Sequence, residues 1–210
     1  MMIRGRWLIL LFALVVCLST SSAMAGGDAN VIFGQKTLSE EKFDDLGLDS
    51  QPEFGVTVTL DFQWPIALAI DLLSSQADRT ETTAAAFPVT TRTKVDTLEL
   101  DLGVRKFWGI KKWRPYVGGG LSMIQLETKQ TTSTDILGNI VEDTLIDDDY
   151  SAVGYWLGGG TLWTLPEGFN LGAELRYSDA EGDLASQGFP SKESFDAGGF
   201  HAFVMLGYHW

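Results

Sequence analysis

Seven charged residues lie in stretches where apolar and polar residues alternate along the chain. They are Asp61, Asp71, Glu99, Asp101, Arg105, Glu174 and Arg176. Charges removed from water must be paired and hydrogen-bonded, so we expect Glu99, Asp101 and Glu174 to pair with the two arginines. Such a cluster could form a gated ion path or a binding site, but we favour a network that fills an interior and fixes strand register. Because five acids face two bases, we expect a protonated carboxyl, a water or a cation to complete it.

The two histidines, His201 and His209, lie in phase on one face of the last alternating stretch. A lipid-modifying enzyme would need such a histidine within hydrogen-bond reach of a serine and a carboxylate. No serine is evidently paired with His201, and the chain matches no lipid A deacylase or palmitoyltransferase motif. We therefore expect both histidines to fill the interior, and we predict a protein that is not an enzyme and uses no cofactor.

Four polar segments between the alternating stretches are strongly acidic. Residues 38–53, 76–93, 129–149 and 179–196 together carry nineteen acidic and five basic side chains. The run Asp147, Asp148 and Asp149 could bind a divalent cation, because hard cations prefer oxygen ligands. The alternative is a solvated surface whose charges repel one another and keep the segments extended.

Eight predicted β-strands must position these groups. In most of them every second residue is apolar, which is typical of a strand with one apolar face. The clearest example has six apolar residues on one face: Phe54, Val56, Val58, Leu60, Phe62 and Trp64. The predicted strands are 29–37, 54–64, 66–75, 95–106, 116–128, 150–164, 170–178 and 200–210.

The connections between these strands alternate between long and short. The long ones include the acidic segments, and the short ones contain turn residues such as Pro65, Pro166 and Gly168. An even number of strands with this alternation is typical of a membrane β-barrel with short periplasmic turns and longer external loops. We therefore predict an all-β fold, an eight-stranded antiparallel up-and-down transmembrane β-barrel.

Residues 1–25 have the pattern of a cleaved signal peptide. Arg4 and Arg6 precede a short apolar run, and Ala23-Met24-Ala25 is a small-x-small cleavage site. The run is too short for a membrane-spanning helix, and it contains the only cysteine, Cys17. We therefore expect a barrel domain of residues 26–210 without thiol chemistry, which can enter a membrane only as a closed barrel.

Aromatic residues gather near the two ends of the predicted strands. Two such belts are expected where a barrel meets the membrane interfaces. The charged faces must then point inward, because an Arg or Lys against lipid at mid-depth costs about 2–4 kcal/mol. We place Trp64, Phe107, Trp108, Trp113, Tyr116, Trp163, Phe169, Tyr208 and Trp210 at the periplasmic end, and Phe54, Tyr150, Tyr177 and Phe195 at the other.

Two glycine triplets lie in the fifth and sixth predicted strands, at residues 118–120 and 158–160. We predict that residue 119 opposes residue 159, so that the triplets lie side by side. We favour relief of crowding and strand bending in a narrow barrel as their role. A smooth groove for an acyl chain or a partner is the alternative.

The segments R-P-Y-V-G-G-G-L at 114–121 and W-L-G-G-G-T-L at 156–162, with the terminal strand ending on Trp210, resemble a known superfamily. It is that of the small eight-stranded bacterial outer-membrane β-barrels, which includes the OmpA transmembrane domain, OmpX and OmpW. The resemblance implies an outer-membrane location with long extracellular loops and periplasmic termini. It also implies contact with lipid and lipopolysaccharide, recognition of the C-terminal strand by the barrel assembly machinery, no nucleic-acid partner and a monomeric state.

For such a barrel we expect a structural, adhesive or surface-interaction role. An eight-stranded barrel has room inside only for side chains or one small ligand, which favours a lumen filled by its own side chains. The first alternative is a narrow porin-like or OmpW-like channel for small solutes. A lipid-modifying barrel enzyme is the third hypothesis.

Overall fold

The computed structural model describes residues 26–39, 50–62, 64–83, 89–109, 112–136, 139–183 and 194–210. The predicted signal peptide, residues 1–25, lies outside the described residues. Apart from β-strands, the described chain contains one short 3-10 helix, Pro166–Gly168. No described helix is both long enough and apolar enough to cross a membrane.

Eight strands close into a ring in which every neighbouring pair is antiparallel. A short extra strand, β8, pairs with β7 alone. The predicted all-β, eight-stranded antiparallel barrel is therefore confirmed. The strands are β1 (Gly26–Leu38), β2 (Ser50–Asp61), β3 (Ala67–Thr83), β4 (Val89–Phe107), β5 (Trp113–Ile136), β6 (Asn139–Thr164), β7 (Phe169–Asp183), β8 (Ser194–Asp196) and β9 (Gly199–His209).

The strands are staggered around the ring. Following the register from Ile32 through β2 to β5 leads to Ala152 on β6. Following it in the other direction, through β9 and β7, leads to Leu162. The difference between 152 and 162, ten residues, is the shear of the barrel. Strand number and shear together set the diameter, which for eight strands leaves an interior that side chains fill.

The barrel is apolar outside and largely polar inside, which is the arrangement of a membrane barrel. The predicted faces of β2, β3, β4, β7 and β9 are those observed. Even-numbered side chains point inward from Arg114 to Leu126 on β5 and from Ala152 to Leu162 on β6, which settles the faces that the sequence left open. Large apolar side chains exposed on the outside include Phe33, Phe54, Leu68, Leu102, Leu121, Val153, Leu157, Leu171, Leu175, Val204 and Leu206.

Aromatic side chains surround the barrel end at which β2–β3, β4–β5 and β6–β7 are joined, here called the short-turn end. The predicted belt is largely present there, with Trp64, Trp108, Trp113, Trp163, Phe169, Tyr208 and Trp210 all exposed. Two of its expected members, Phe107 and Tyr116, instead pack against each other inside. Toward the other end Phe54 and Tyr177 are exposed, whereas Tyr150 packs inward, and the side chain of Phe195 lies outside the described residues.

Four strands are much longer than the sequence predicts. The strand pairing of β3–β4 continues to Thr83↔Val89, and that of β5–β6 to Ile136↔Asn139. Most of the predicted loops 76–93 and 129–149 is therefore strand. On the outward face of β3 to β6, the last fully apolar row is Leu72, Leu100, Met123 and Val153. Two rows further on, the row that contains Gln76, Asp96 and Glu127 is polar. Beyond that row lies the projecting sheet, residues 77–83, 89–95, 128–136 and 139–148.

Candidate functional site

The lumen contains a group of buried charges, here called the central cluster: Asp71, Asp101, Arg105, Glu174 and Arg176. All five were predicted from the sequence to face inward. Asp71 and Asp101 lie opposite each other on β3 and β4, while Glu174 and Arg176 both belong to β7 on the far wall. Strand alternation thus places the charges, and barrel closure brings the two walls together.

Arg176 connects the two walls of the barrel. Its Nη2 lies 2.6 Å from Asp71 Oδ2 and 2.7 Å from Glu174 Oε1, and its Nη1 donates to Asp101. The guanidinium carbon lies 4.5 Å from the ring centre of Trp156, which is itself buried in the lumen. One side chain therefore compensates three carboxylates and stacks on an aromatic ring.

Arg105 forms a second bridge at the same place. Its Nη2 lies 2.8 Å from Asp71 Oδ2 and 3.3 Å from Glu174 Oε2. Its Nη1 donates to Thr57 and Thr59 on β2, and the Tyr116 hydroxyl donates to Glu174 at 2.5 Å. Strands β2, β3, β4, β5 and β7 are thus joined across the lumen, and the central cluster is almost completely buried.

A second buried set, here called the His201 group, contains Lys36, Glu53, Glu99, Ser178 and His201. His201 Nδ1 lies 2.9 Å from Glu53 Oε2, and its Nε2 lies 2.9 Å from Ser178 Oγ. The expected interior position of His201 is therefore observed. The expectation that no serine is paired with it was wrong, because Ser178 and Glu53 reach it from β7 and β2. The three residues have the hydrogen-bond order of a Ser–His–Glu triad, but His201 and Ser178 have no exposed surface.

Glu99 belongs to this group and not to the central cluster. Its Oε2 lies 2.8 Å from Lys36 Nζ, and its Oε1 accepts a hydrogen bond from Ser122 at 3.1 Å. The expected pairing of Glu99 with an arginine was thus wrong. Lys36 was missed because the sequence of β1 has only a weak alternation, although its position four residues after Ile32 places both on the inner face.

The two ends of the lumen are also filled. At the short-turn end, Arg114 forms two hydrogen bonds with Asp28, at 2.8 and 2.9 Å, and Asn170 and His209 contact the same carboxylate. His209 is thus on the inner side, as expected, although it is partly exposed. At the base of the projecting sheet the lumen is apolar, with a cap formed by Leu38, Ala77, Val95 and Leu126.

Asp61 and the run 147–149 do not lie where the sequence predicts. Asp61, expected among the lumen charges, is instead exposed, because it is the last residue of β2 and lies at the rim of the barrel, although it is in phase with the buried Thr57 and Thr59. Asp147, Asp148 and Asp149 belong to β6 and pair with Lys129, Thr128 and Glu127, so they do not form a loop. Their side chains lie outside what the structure describes.

The glycine triplets provide space for the central cluster. A Cβ at Gly118 would lie 2.9 Å from Arg105 Cγ and 3.0 Å from the Trp156 ring, and one at Gly160 would lie 2.8 Å from the Tyr116 hydroxyl. Gly118, not Gly119, opposes the second triplet, at Gly158, so the predicted register was wrong by two residues. These contacts agree with relief of crowding as the role of the triplets.

An apolar exterior, a closed ring of tilted strands and a charged, side-chain-filled lumen define an integral outer-membrane β-barrel. The family model described as "Outer membrane protein beta-barrel domain" matches residues 8–209. The chain belongs to this family, and its location is therefore the outer membrane. No curated protein matches the chain in sequence.

Solved structures with a similar fold have very different sequences. Ail, the attachment invasion locus protein of Yersinia pestis, is 10% identical, with 89% of this chain and 99% of Ail covered and a TM-score of 0.47. The N-terminal barrel of Pseudomonas aeruginosa OprF is 12% identical, with 89% and 100% covered and a TM-score of 0.47. OprG from the same organism is 12% identical, with 89% and 94% covered and a TM-score of 0.47.

Proposed function

We propose that this protein is a surface-interaction protein: a closed barrel that anchors the projecting sheet on the outside of the cell. In this arrangement the short-turn end and both termini are periplasmic, and the long connections are extracellular. The observation that carries the proposal is the combination of a filled lumen with four strands that continue beyond the apolar band.

The filled lumen favours an anchor over a channel. Arg105 and Arg176 cross the barrel between opposite walls and are almost completely buried, at 2% and 1% exposure. Opening a path would require these guanidinium groups to leave their carboxylates in a low-dielectric interior, which is strongly unfavourable. No comparable feature supports the narrow-channel alternative within the described part of the chain.

Within the residues that the structure describes, the projecting sheet has two strand edges that pair with no other strand. Pairing of β2 with β3 ends at Glu53↔Ser75, and pairing of β6 with β7 ends at Val153↔Glu181. Beyond these points, no described strand covers the outer edges of β3 and β6. At about 3.3 Å per residue, the part of β5 in the sheet spans roughly 30 Å. Exposed edges present unpaired backbone groups to which a partner can add a strand.

The part of the sheet that β3 and β4 form is polar and internally braced. The hydroxyl oxygens of Thr82 on β3 and Thr90 on β4 are 3.3 Å apart and share a hydrogen bond. Arg92 donates to Asp78 across the same pair of strands, and this hydrogen bond holds the pKa of Asp78 below its usual range. A sheet of this kind can stand in water without an apolar core of its own because its neighbours on the barrel fix its base.

Trimming the projecting sheet tests the proposal. In the variant, residues 78–94 are replaced by Asn-Gly, and so are residues 129–147. Asn-Gly forms tight two-residue hairpin turns, so it can connect Ala77 to Val95 and Thr128 to Asp148. Cells that produce the wild-type protein should aggregate with one another or adhere to fibronectin- or collagen-coated plates more than cells without it. The trimmed barrel should fold, as judged by its heat-dependent gel mobility, and should lose this gain.

The matched control is Asp61→Asn, which removes an exposed charge at the opposite end of the barrel and should keep the wild-type behaviour. Equal aggregation and adherence of cells with the wild-type and the trimmed barrel would contradict the proposal.

A further inference from the structure

Three side chains of the lumen could hold a metal ion between them. Glu53 on β2, Glu99 on β4 and His201 on β9 are all buried, and a set of ligand atoms with one from each residue lies within 4.8 Å of one another. We propose that these residues form a binding site for a divalent transition-metal ion of the zinc class. The site is separate from the surface role proposed above.

The distances between the candidate ligands suit such an ion. His201 Nδ1 and Glu53 Oε2 are 2.9 Å apart, and His201 Nε2 and Glu99 Oε2 are 3.8 Å apart. Tetrahedral zinc with bonds near 2.0 Å separates its ligands by about 3.3 Å. Only one ring nitrogen of His201 can bind the ion, so the two distances belong to alternative ligand sets. With one atom from each of the three residues, the ligand atoms lie within 4.8 Å of one another, and the side chains would have to close by no more than about 1.5 Å to accommodate the ion.

The ligand types also suit zinc. One imidazole and two carboxylates are common zinc ligands, and Ser178 Oγ, 2.9 Å from His201 Nε2, could take the fourth place or orient a bound water. If the ion binds at Nε2, Glu53 would orient the imidazole through Nδ1, an arrangement that is frequent around metal-bound histidines.

The charge balance of the lumen is an independent argument. Beyond the Asp28–Arg114 pair, the described lumen buries five carboxylates, of Glu53, Asp71, Glu99, Asp101 and Glu174. It buries three basic side chains, Lys36, Arg105 and Arg176, so the formal charge is −2 when all five carboxylates are ionised, all three bases are protonated and His201 is neutral. One oxygen of Asp101 also has no hydrogen-bond partner. Uncompensated buried charge is very unfavourable, and one divalent cation would neutralise this interior.

Lys36 competes with the ion. Its ammonium lies 2.8 Å from the Glu99 oxygen that is nearest to His201. A carboxylate oxygen has two lone pairs, so it can bind a metal and still accept from Lys36. The repulsion between the ammonium and a dication nevertheless weakens binding, which predicts that removing Lys36 strengthens it.

Refolding with zinc tests the site. The wild-type protein is refolded in detergent with ZnCl₂, passed through a column with EDTA, and analysed for bound metal, with folding verified by heat-dependent gel mobility. About one zinc per barrel should remain, because a fully buried ion cannot reach the chelator until the barrel unfolds. Glu53→Gln and His201→Ala should retain less than a tenth of this amount. His209→Ala is the matched control and should retain it all.

Two alternatives to an ion in the lumen are zinc bound to the acidic surface and extra protons that neutralise the lumen charges. Two further measurements distinguish them. Co²⁺ in its place should give the visible absorption of a tetrahedral site, which His201→Ala abolishes. Lys36→Met should tighten binding by about tenfold or more in competition with a chelator. Zinc that remains equally in Glu53→Gln and His201→Ala would belong to the surface and would overturn the proposal. So would a metal-free wild-type barrel whose His201 is a doubly protonated imidazolium by NMR at neutral pH.

Discussion

Asp71 and Asp101 are direct cross-strand partners on β3 and β4, and both carboxylates are fully buried on the inner face of the barrel. Like charges in this position repel each other strongly unless a cation lies between them. Arg176 is that cation, and it comes from the opposite wall. Asp71 and Asp101 can therefore be buried together only when the barrel is closed, because closure brings Arg176 between them.

Removing Arg176 should be among the most destabilising single changes in the chain. Arg176→Met leaves three carboxylates without their shared cation, and breaking a buried ion pair in this way costs about 3–5 kcal/mol. Urea unfolding of the refolded barrel, followed by gel mobility and tryptophan fluorescence, measures the loss. Arg92→Met, which breaks the exposed pair with Asp78, is the control and should leave the unfolding midpoint unchanged. Equal effects of the two variants would show that the central cluster contributes no special stability.

Neutralising one of the facing acids should partly rescue that loss. In the Arg176→Met background, Asp101→Asn removes one of the two opposed charges, so the double variant should be more stable than Arg176→Met alone. The coupling energy from the four unfolding curves of the double-mutant cycle should be about 1–3 kcal/mol. A coupling energy near zero would mean that Arg176 and Asp101 do not interact.

Adjacent glycines of one triplet should respond very differently to alanine. A Cβ at Gly160 would lie 2.4 Å from the Ala173 carbonyl oxygen, whereas the nearest atom to a Cβ at Gly159 is 3.6 Å away. Gly160→Ala should therefore destabilise the barrel by about 1–3 kcal/mol, as overpacking does. Gly159→Ala should change the free energy of unfolding by no more than about 0.5 kcal/mol. The reverse order would contradict the inward direction of residue 160.

Tryptophan quenching should separate the outside of the barrel from the lumen. In single-tryptophan variants reconstituted into bilayers, brominated lipid should quench Trp64 and Trp163, which are 63% and 56% exposed. Trp156, at 1% exposure inside the lumen, should be protected from both brominated lipid and aqueous iodide. Quenching of Trp64 and Trp163 by iodide alone would contradict the membrane-facing assignment of the apolar exterior.

The sequence predicts the strand faces well because alternation has a period of two. A register error of one residue would turn every apolar side chain inward, so the face of β4 or β9 is strongly determined. An error of two residues leaves the faces unchanged, which is why the offset between Gly119 and Gly159 was misjudged. The same pattern contains no information about which acid meets which base. Those pairings depend on the shear of the closed barrel, and this is why Glu99 was assigned to the arginines instead of Lys36.

The projecting sheet could not be predicted for a related reason. Segments 77–83, 89–95 and 128–136 have polar residues on both faces, so no alternation distinguishes them from loops. In segment 139–148 the apolar residues come in adjacent pairs, Ile140-Val141 and Leu145-Ile146, which is not an alternation either. The pairing of these segments follows from the barrel below, which sets the register of β3 to β6 before the strands leave the apolar band. Glu53 was missed because the sequence places it in the acidic segment 38–53, whereas β2 begins at Ser50. Ser178 was missed because nothing in the sequence shows that barrel closure brings the end of β7 beside His201.

Conductance across a planar bilayer tests the closed lumen most directly. The barrel is refolded, its fold is verified by heat-dependent gel mobility, and single-channel currents are recorded over a range of voltages. The ion bridges of Arg105 and Arg176 predict a silent wild-type protein. Discrete openings of the wild-type barrel that change in size in the Arg105→Gln variant would contradict the closed lumen and identify the central cluster as the gate of a channel.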